Sequence, residues 1–196
     1  MEKANAIESI DATIIRGSGE VASSWASGIY YTKCFDKDGN LKWEDTINNV
    51  VTNVGKNLAL DTFLAGVSYT VVGPFMGLIS GVSYTGLPAV GDTMGSHPTW
   101  YEVSATTYFP TVAARITTNA NWTAASNGSK QITTAISFSI ITNPGVLKGC
   151  FLVFGTGAVS TLGSGAGTLY SAGVFSGGDK TVGISDLVQV SYTASL

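Results

Sequence analysis

Asp36, Asp38 and Asn40 surround Gly39 in the stretch CFDKDGNLKWEDT, residues 34–46. Oxygen ligands at alternate positions around a glycine are what a calcium loop needs, but such a loop places its glycine sixth and a bidentate Glu twelfth. Counted from Asp36 the glycine comes fourth and Asn40 takes the fifth place, so the spacing argues against a metal. The same letters also suit a turn. GIYYTKCFD and LKWEDT alternate in character on either side, and Asp38-Gly39 is the signal of a type I′ hairpin, whose two central residues adopt positive φ.

Other residues with chemical potential are few. His97 is the single histidine, so a Ser-His-acid relay would have to be built on it; no GxSxG elbow accompanies it, and a His before a Pro reads as structural. Zinc would want further His or paired Cys, and Cys34 and Cys150 stand far apart without CxxC spacing, which reads as two buried free thiols. A glycosidase pair would have to come from Asp92, Glu102, Asp179 and Asp186, with no motif prompting it. The glycine runs GTGAV and GSGAG lack the Lys and Ser/Thr of a phosphate loop and read as turns. Trp25, Trp43, Trp100, Tyr101, Tyr108, Phe109 and Trp122 could line a sugar-binding face, although aromatics in a β-rich chain more often anchor cores and interfaces. Asn121 and Asn127 match the glycosylation pattern, read as chance without a secretory signal. The expectation is a protein with no enzymatic activity, no cofactor and no metal.

The elements that would position these residues are mostly strands. ITTAISFSIIT sets Ile132, Ile136, Phe138 and Ile140 on a period of two, VQVSY repeats it with Val188, Val190 and Tyr192, and VLKGCFLVF and GTLYSAGVF add apolar runs. Asn143-Pro144-Gly145, residues 163–167 and Gly177-Gly178-Asp179 separate them as turns, and from Val71 onward the text reads as β throughout. One helix is expected in TINNVVTNVGKNLALDTFLAG, with Asn53 as N-cap, Val54, Leu58, Leu60, Phe63 and Leu64 as its apolar face and Gly66 as its stop. Gly55 in its middle costs about 1 kcal/mol against Ala, so the helix should depend on packing. The fold class expected is mainly β: an antiparallel β-sandwich or jelly-roll-like domain. Its organisation is an N-terminal arm (1–28), a β-hairpin plus helix (29–66) and the sandwich (67–196), with 29–196 as one folded unit.

Charged residues are 12% of the 196, and 15 of the 23 lie before residue 62. Polarity is carried instead by 44 Ser and Thr. A net charge of −3 with no basic cluster lacks the electrostatic footprint of a nucleic-acid or anionic-membrane binder. No signal-peptide core and no run of 18 apolar residues occurs, so the chain reads as made and kept in a cytoplasm. Ile7, Ile10, Ile14, Ile15 and Trp25 are apolar enough to need a partner surface, and they are the expected interface residues of the arm.

KWEDTINNVVTNVGKNLALDTFLAG, GLISGVSYTGLPAVGDTMGSHPTWYE, KGCFLVF and GTLYSAGVFSGGDKTVGISDLVQVSYTASL together resemble small virion proteins encoded among the structural genes of tailed bacteriophages. The resemblance spans roughly residues 28–196 and is one of phrases and their order, so it carries over no functional residue. It implies a particle component, assembled in the host cytoplasm and located in the virion. A capsid decoration or cement protein is the first expectation, with the major capsid protein and copies of itself as partners. A trimer is favoured because capsid lattices present local three-fold sites. A neck or tail component, or a receptor- or glycan-binding module, are the alternatives.

Overall fold

Asp38-Gly39 does sit in a hairpin, although in a different one from that its letters suggest. In the computed structural model of the protein, which describes residues 26–64, 72–83 and 86–195, β1 (Ser27–Phe35) and β2 (Leu41–Asn48) pair antiparallel. Of the dipeptide only Gly39 has a positive φ, at 84°. Gly39 donates its N–H to the Asp36 carbonyl at 3.0 Å, so Lys37 and Asp38 form the turn and Gly39 is the left-handed residue that follows it. The Asp36 side chain selects this form. It accepts the N–H groups of Asp38 and Asn40, both at 2.9 Å, as an aspartate cap on its own turn. Together with the Asn40 side-chain amide, the leading cause, these bonds hold the Asp36 carboxyl below its ordinary range.

The hairpin belongs to the first of two antiparallel sheets. On its other edge β1 pairs along its whole length with β11 (Leu187–Ser195), and β11 pairs in turn with β6 (Ser129–Gln131) and β7 (Ile136–Ser139). The second sheet runs β3 (Val50–Val51), β9 (Thr168–Val174), β8 (Gly145–Phe154), β4 (Phe75–Ser80), β5 (Ile116–Thr117), with β10 (Lys180–Val182) also on β8. The protein is an antiparallel β-sandwich. Its core is the set of residues that the period-two reading turned inward: Ile132, Ile136, Phe138, Ile140, Val188, Val190 and Tyr192 meet Met76, Leu78, Leu147, Cys150 and Leu152 of the opposite sheet. Ser137 and Ser139 point out. Each fully buried aliphatic or Phe side chain contributes roughly 1.5–3 kcal/mol relative to exposure, so this layer carries most of the stability.

The second sheet is buried on both faces, which explains why β8 reads as an apolar run interrupted only by Lys148. Its far side presents Ile79, Phe151, Val153, Leu169 and Ala172 to a cover that contributes Met94, Trp100 and Ala158. That cover is where the all-β reading fails. Among the described residues of the connection from β4 to β5, 81–83 and 86–115, there is no named strand; they lie over the sheet, joined by the loop 155–167. Its folding is dictated by particular polar contacts, not by periodicity. Glycine makes the strand packing possible: a Cβ on Gly149 would stand 1.9 Å from the Gly173 carbonyl oxygen of the neighbouring strand.

Among the described residues there is one α-helix, α1 (Asn53–Leu64). Its cap is Thr52 and not Asn53. Thr52 Oγ1 accepts the Gly55 N–H at 3.1 Å and donates to the Leu169 carbonyl, so one buried hydroxyl starts the helix and ties it to β9. Gly55 lies against β9 so closely that a Cβ would come 2.8 Å from the Tyr170 carbonyl oxygen. The packing expected of this helix is real, but its apolar face is narrower than expected: Leu60 is 44% and Leu64 80% exposed. Gly66 lies outside the described residues. No described helix is long and apolar enough to cross a membrane.

Candidate functional site

Arg115, immediately before β5, organises the cover. Its guanidinium is fully buried and makes a bidentate pair with Glu102, Nε to Oε1 at 2.8 Å and Nη2 to Oε2 at 2.7 Å. The remaining donors reach the carbonyls of Val159 (3.2 Å) and Ser164 (2.7 Å), while Glu102 Oε2 accepts the Gly163 N–H at 2.8 Å. The ring of Phe151 lies below, 5.5 Å from the guanidinium carbon. Two charges from the β4–β5 connection thereby hold the glycine-rich loop 155–167 against the sheet. Gly155, Gly157, Gly163 and Gly167 all have positive φ, so these runs are turns, with the N–H of Gly155 bonded to the Val72 carbonyl and that of Gly163 to Glu102.

The other candidate acids are engaged in the same manner. Asp92 Oδ2 accepts the buried Trp100 Nε1–H at 2.8 Å and the Ala89 N–H at 3.0 Å. Asp186 Oδ2 accepts Lys42 Nζ at 2.5 Å and the Gly183 N–H at 2.6 Å, which closes the turn before β11; the hydrogen bond to Asp186 raises the Lys42 ammonium above its ordinary range. Asp179 pairs with Lys148 at 2.6 Å. Each of these four carboxylates is thus engaged by its own donors: Glu102 by Arg115 and Gly163, Asp92 by Trp100 and Ala89, Asp186 by Lys42 and Gly183, and Asp179 by Lys148. His97 stacks on Trp100 with ring centroids 4.0 Å apart, and its Nδ1 lies 2.7 Å from the Trp100 carbonyl, so that nitrogen carries a proton and closes a turn.

The aromatic residues also separate. Trp43 donates its Nε1–H to the Thr181 carbonyl at 3.1 Å and sets its ring edge on Phe175. Trp122 donates to Thr118 Oγ1 at 3.0 Å and meets Tyr192 edge-on, while Trp100 is fully buried in the cover. Tyr101 and Tyr108, two of the described candidates, pair with each other, stacked at 4.2 Å with planes 3° apart. Cys34 and Cys150 are free and buried; burial, aided by the nearby Asp186, pushes the Cys34 thiol up to about 12, and burial raises that of Cys150 further.

The outer face of the first sheet is one of the exposed surfaces. Across its rungs stand Thr46, Tyr31 and Ser191, then Glu44, Lys33, Gln189 and Ser137. Lys33 and Glu44 neutralise each other at 3.3 Å. The free edge at β2 is closed by a network around Asp45. Its carboxylate accepts Lys180 Nζ at 2.7 Å, Ser176 Oγ at 2.6 Å and the N–H groups of Thr46 and Gly177, and Ser176 donates its own N–H to the Thr46 carbonyl. Burial acts to raise the Asp45 carboxyl, but these donors, led by Lys180, outweigh it and bring the group down to about 2. An edge obstructed this way is a poor template for strand addition, so any contact made here involves faces.

Ile7, Ile10, Ile14, Ile15 and Trp25, the interface residues expected from sequence, lie outside the described residues. Sequence reasoning missed Arg115 as an organiser. The available signal was a lone arginine within the apolar text TVAARITT, in a region with only eight charges. No known family matches the chain, and no curated protein is detectably similar to it.

Proposed function

We propose that this chain is a non-enzymatic structural protein of a phage virion, a capsid decoration or cement protein that bridges neighbouring copies of the major capsid protein. The observation that carries the reading is the outer face of the first sheet, a polar, hydroxyl-rich surface whose Lys33–Glu44 pair cancels its own charge. Such a face carries little net charge, and a flat partner that offers hydrogen bonds to its hydroxyls can cover it without leaving them unpaired. The acids fit the same reading, because their carboxylates are occupied in holding loops and turns in place. The phrases resembling phage virion proteins supply the particle context. Attachment would add the arm residues Ile7, Ile10, Ile14, Ile15 and Trp25 to this face, and three arms joined in one trimer would strengthen binding by about 10²- to 10⁴-fold through effective concentration.

The deciding experiment is a density map of the intact particle with quantitative copy number. Hundreds of copies, meeting in threes around local three-fold axes, support the reading. Six or twelve copies at the portal or tail overturn the cement role and move the protein to the neck or tail. The stacked Tyr101–Tyr108 pair favours one other reading, a glycan-binding module, because planar aromatic surfaces suit sugar rings; saturable glycan-array binding by the purified protein that is lost in Tyr108→Ala would establish it.

A further inference from the structure

Tyr101 and Tyr108 stand at the two feet of one loop of the cover, and hydrogen bonds fix both feet. The first runs antiparallel to β4: the Ser80 N–H donates to the Tyr101 carbonyl at 2.8 Å, and the Val103 N–H to the Leu78 carbonyl at 3.1 Å. The second is fastened to the same strand residue, because Ser80 Oγ donates to the Phe109 carbonyl at 2.7 Å. Ser104 closes the turn between them. Its Oγ accepts the N–H groups of Thr107 at 3.2 Å and Tyr108 at 3.0 Å, and its own N–H donates to the Tyr108 carbonyl at 2.8 Å. Side-chain and backbone bonds of this kind set a short loop in one conformation without regular secondary structure.

The loop thereby sets the two rings face to face, with centroids 4.2 Å apart and planes 3° from parallel. Their hydroxyls are neighbours: after burial, it is the Tyr101 phenol beside it that raises the Tyr108 hydroxyl above its ordinary range. Parallel rings with neighbouring hydroxyls place the carbons ortho to those hydroxyls in register, at about van der Waals contact. Both side chains are half-buried, so the pair is open to oxidants from solvent. Tyr30 and Tyr192 offer the contrast. Their centroids are 4.4 Å apart, but the planes are tilted by 39° and both residues are fully buried in the core.

We propose that Tyr101 and Tyr108 are a site of oxidative coupling, at which a one-electron oxidant such as a peroxide-driven haem peroxidase joins the two side chains as a dityrosine. Each phenol gives up one electron and its hydroxyl proton. The two phenoxyl radicals then form a carbon–carbon bond between the positions ortho to their oxygens, and the hydrogen displaced from each of those carbons returns to an oxygen. Two electrons and two protons leave in all, and one hydrogen peroxide takes them up as two waters. Because the rings are already in contact, the bond-forming step is unimolecular and outruns coupling between molecules. The bond closes residues 101–108 into a covalent loop around Glu102, the partner of Arg115, and so restricts the cover in the unfolded chain as a disulfide would. Coupling at this pair requires neither a capsid nor a glycan partner.

Treatment of the purified full chain with a haem peroxidase and hydrogen peroxide tests it. The expected product is a single chain lighter by two hydrogens, with the blue fluorescence of coupled phenols, formed in a yield unchanged over a hundredfold range of protein concentration. Proteolytic cleavage after Glu102 separates Tyr101 from Tyr108 unless they are joined, so mass spectrometry of that digest locates the bond. Tyr101→Phe and Tyr108→Phe keep the stacked rings and should each lower the yield at least tenfold, whereas Tyr31→Phe on the outer face of the first sheet should leave it unchanged. A bond mapped to other tyrosines, a yield indifferent to Tyr101→Phe or Tyr108→Phe, products only between chains that rise with concentration, or no coupling under conditions that couple free tyrosine each overturn the proposal.

Discussion

Replacing Arg115 by Met keeps most of the side-chain volume and removes the charge that holds the cover together. Four hydrogen bonds disappear, two to Glu102 and one each to the carbonyls of Val159 and Ser164. Glu102, with a side chain only 5% exposed, keeps the Gly163 N–H as its hydrogen-bond partner. Breaking one side of a buried pair leaves an uncompensated charge and costs about 3–5 kcal/mol, whereas replacing both partners with apolar groups is often close to neutral. Arg115→Met should therefore destabilise by about 4 kcal/mol, which at 2–4 °C per kcal/mol for a domain of this size lowers Tm by roughly 10–15 °C. Arg115→Met/Glu102→Leu should recover part of that loss, because no charge is left buried, although the two loop carbonyls lose their donor and the Gly163 N–H its acceptor. Urea unfolding followed by tryptophan fluorescence measures both, and an unchanged m-value would show that the comparison is of stability alone. A single-mutant cost under about 1 kcal/mol, or a double mutant whose cost equals the sum of the two singles, would refute the view that this pair acts as one unit.

The remaining predictions concern other contacts. Asp45, lowered from 3.8 to about 2, contributes its stabilisation in full above about pH 5 and loses it as pH falls from 4 through 2; the shift corresponds to about 2 kcal/mol, so Asp45→Asn should flatten the acid limb of the stability–pH curve by that amount. Thr52→Ala removes the cap of α1 and the buried bond to the Leu169 carbonyl, and should cost about 1–2 kcal/mol in denaturant unfolding, with Thr52→Ser retaining most of it. Gly149→Ala places a methyl group where the Gly173 carbonyl oxygen stands and should abolish the cooperative unfolding transition, in contrast to Gly39→Ala at the open hairpin turn, which should cost no more than about 1–2 kcal/mol for its left-handed φ. At pH 8 neither Cys34 nor Cys150 should react with a thiol reagent until urea unfolds the chain, so labelling kinetics should follow unfolding; rapid reaction of the native protein would contradict the buried, raised thiols.

Period and turn chemistry by themselves determined the sandwich. Ile132, Ile136, Phe138, Ile140, Val188, Val190 and Tyr192 alternate because a strand sends successive side chains to opposite faces, and that rule needs no knowledge of the partner strand. The hairpin at Asp38-Gly39 was legible for the same local reason, although its exact form depended on whether Asp36 capped the turn. What only tertiary structure decided is everything that depends on contacts distant in sequence. Arg115 meets Glu102 and a loop nearly fifty residues further on, and Thr52 caps its helix while bonding to Leu169 117 residues away. Residues 81–115 read as strands because Val, Tyr and Thr favour extended backbone, yet propensity is weak against a covering layer pinned by Asp92, Trp100 and Glu102. The narrow buried face of α1, too, follows from Gly55 seating against Tyr170, a close approach that no helical spacing encodes.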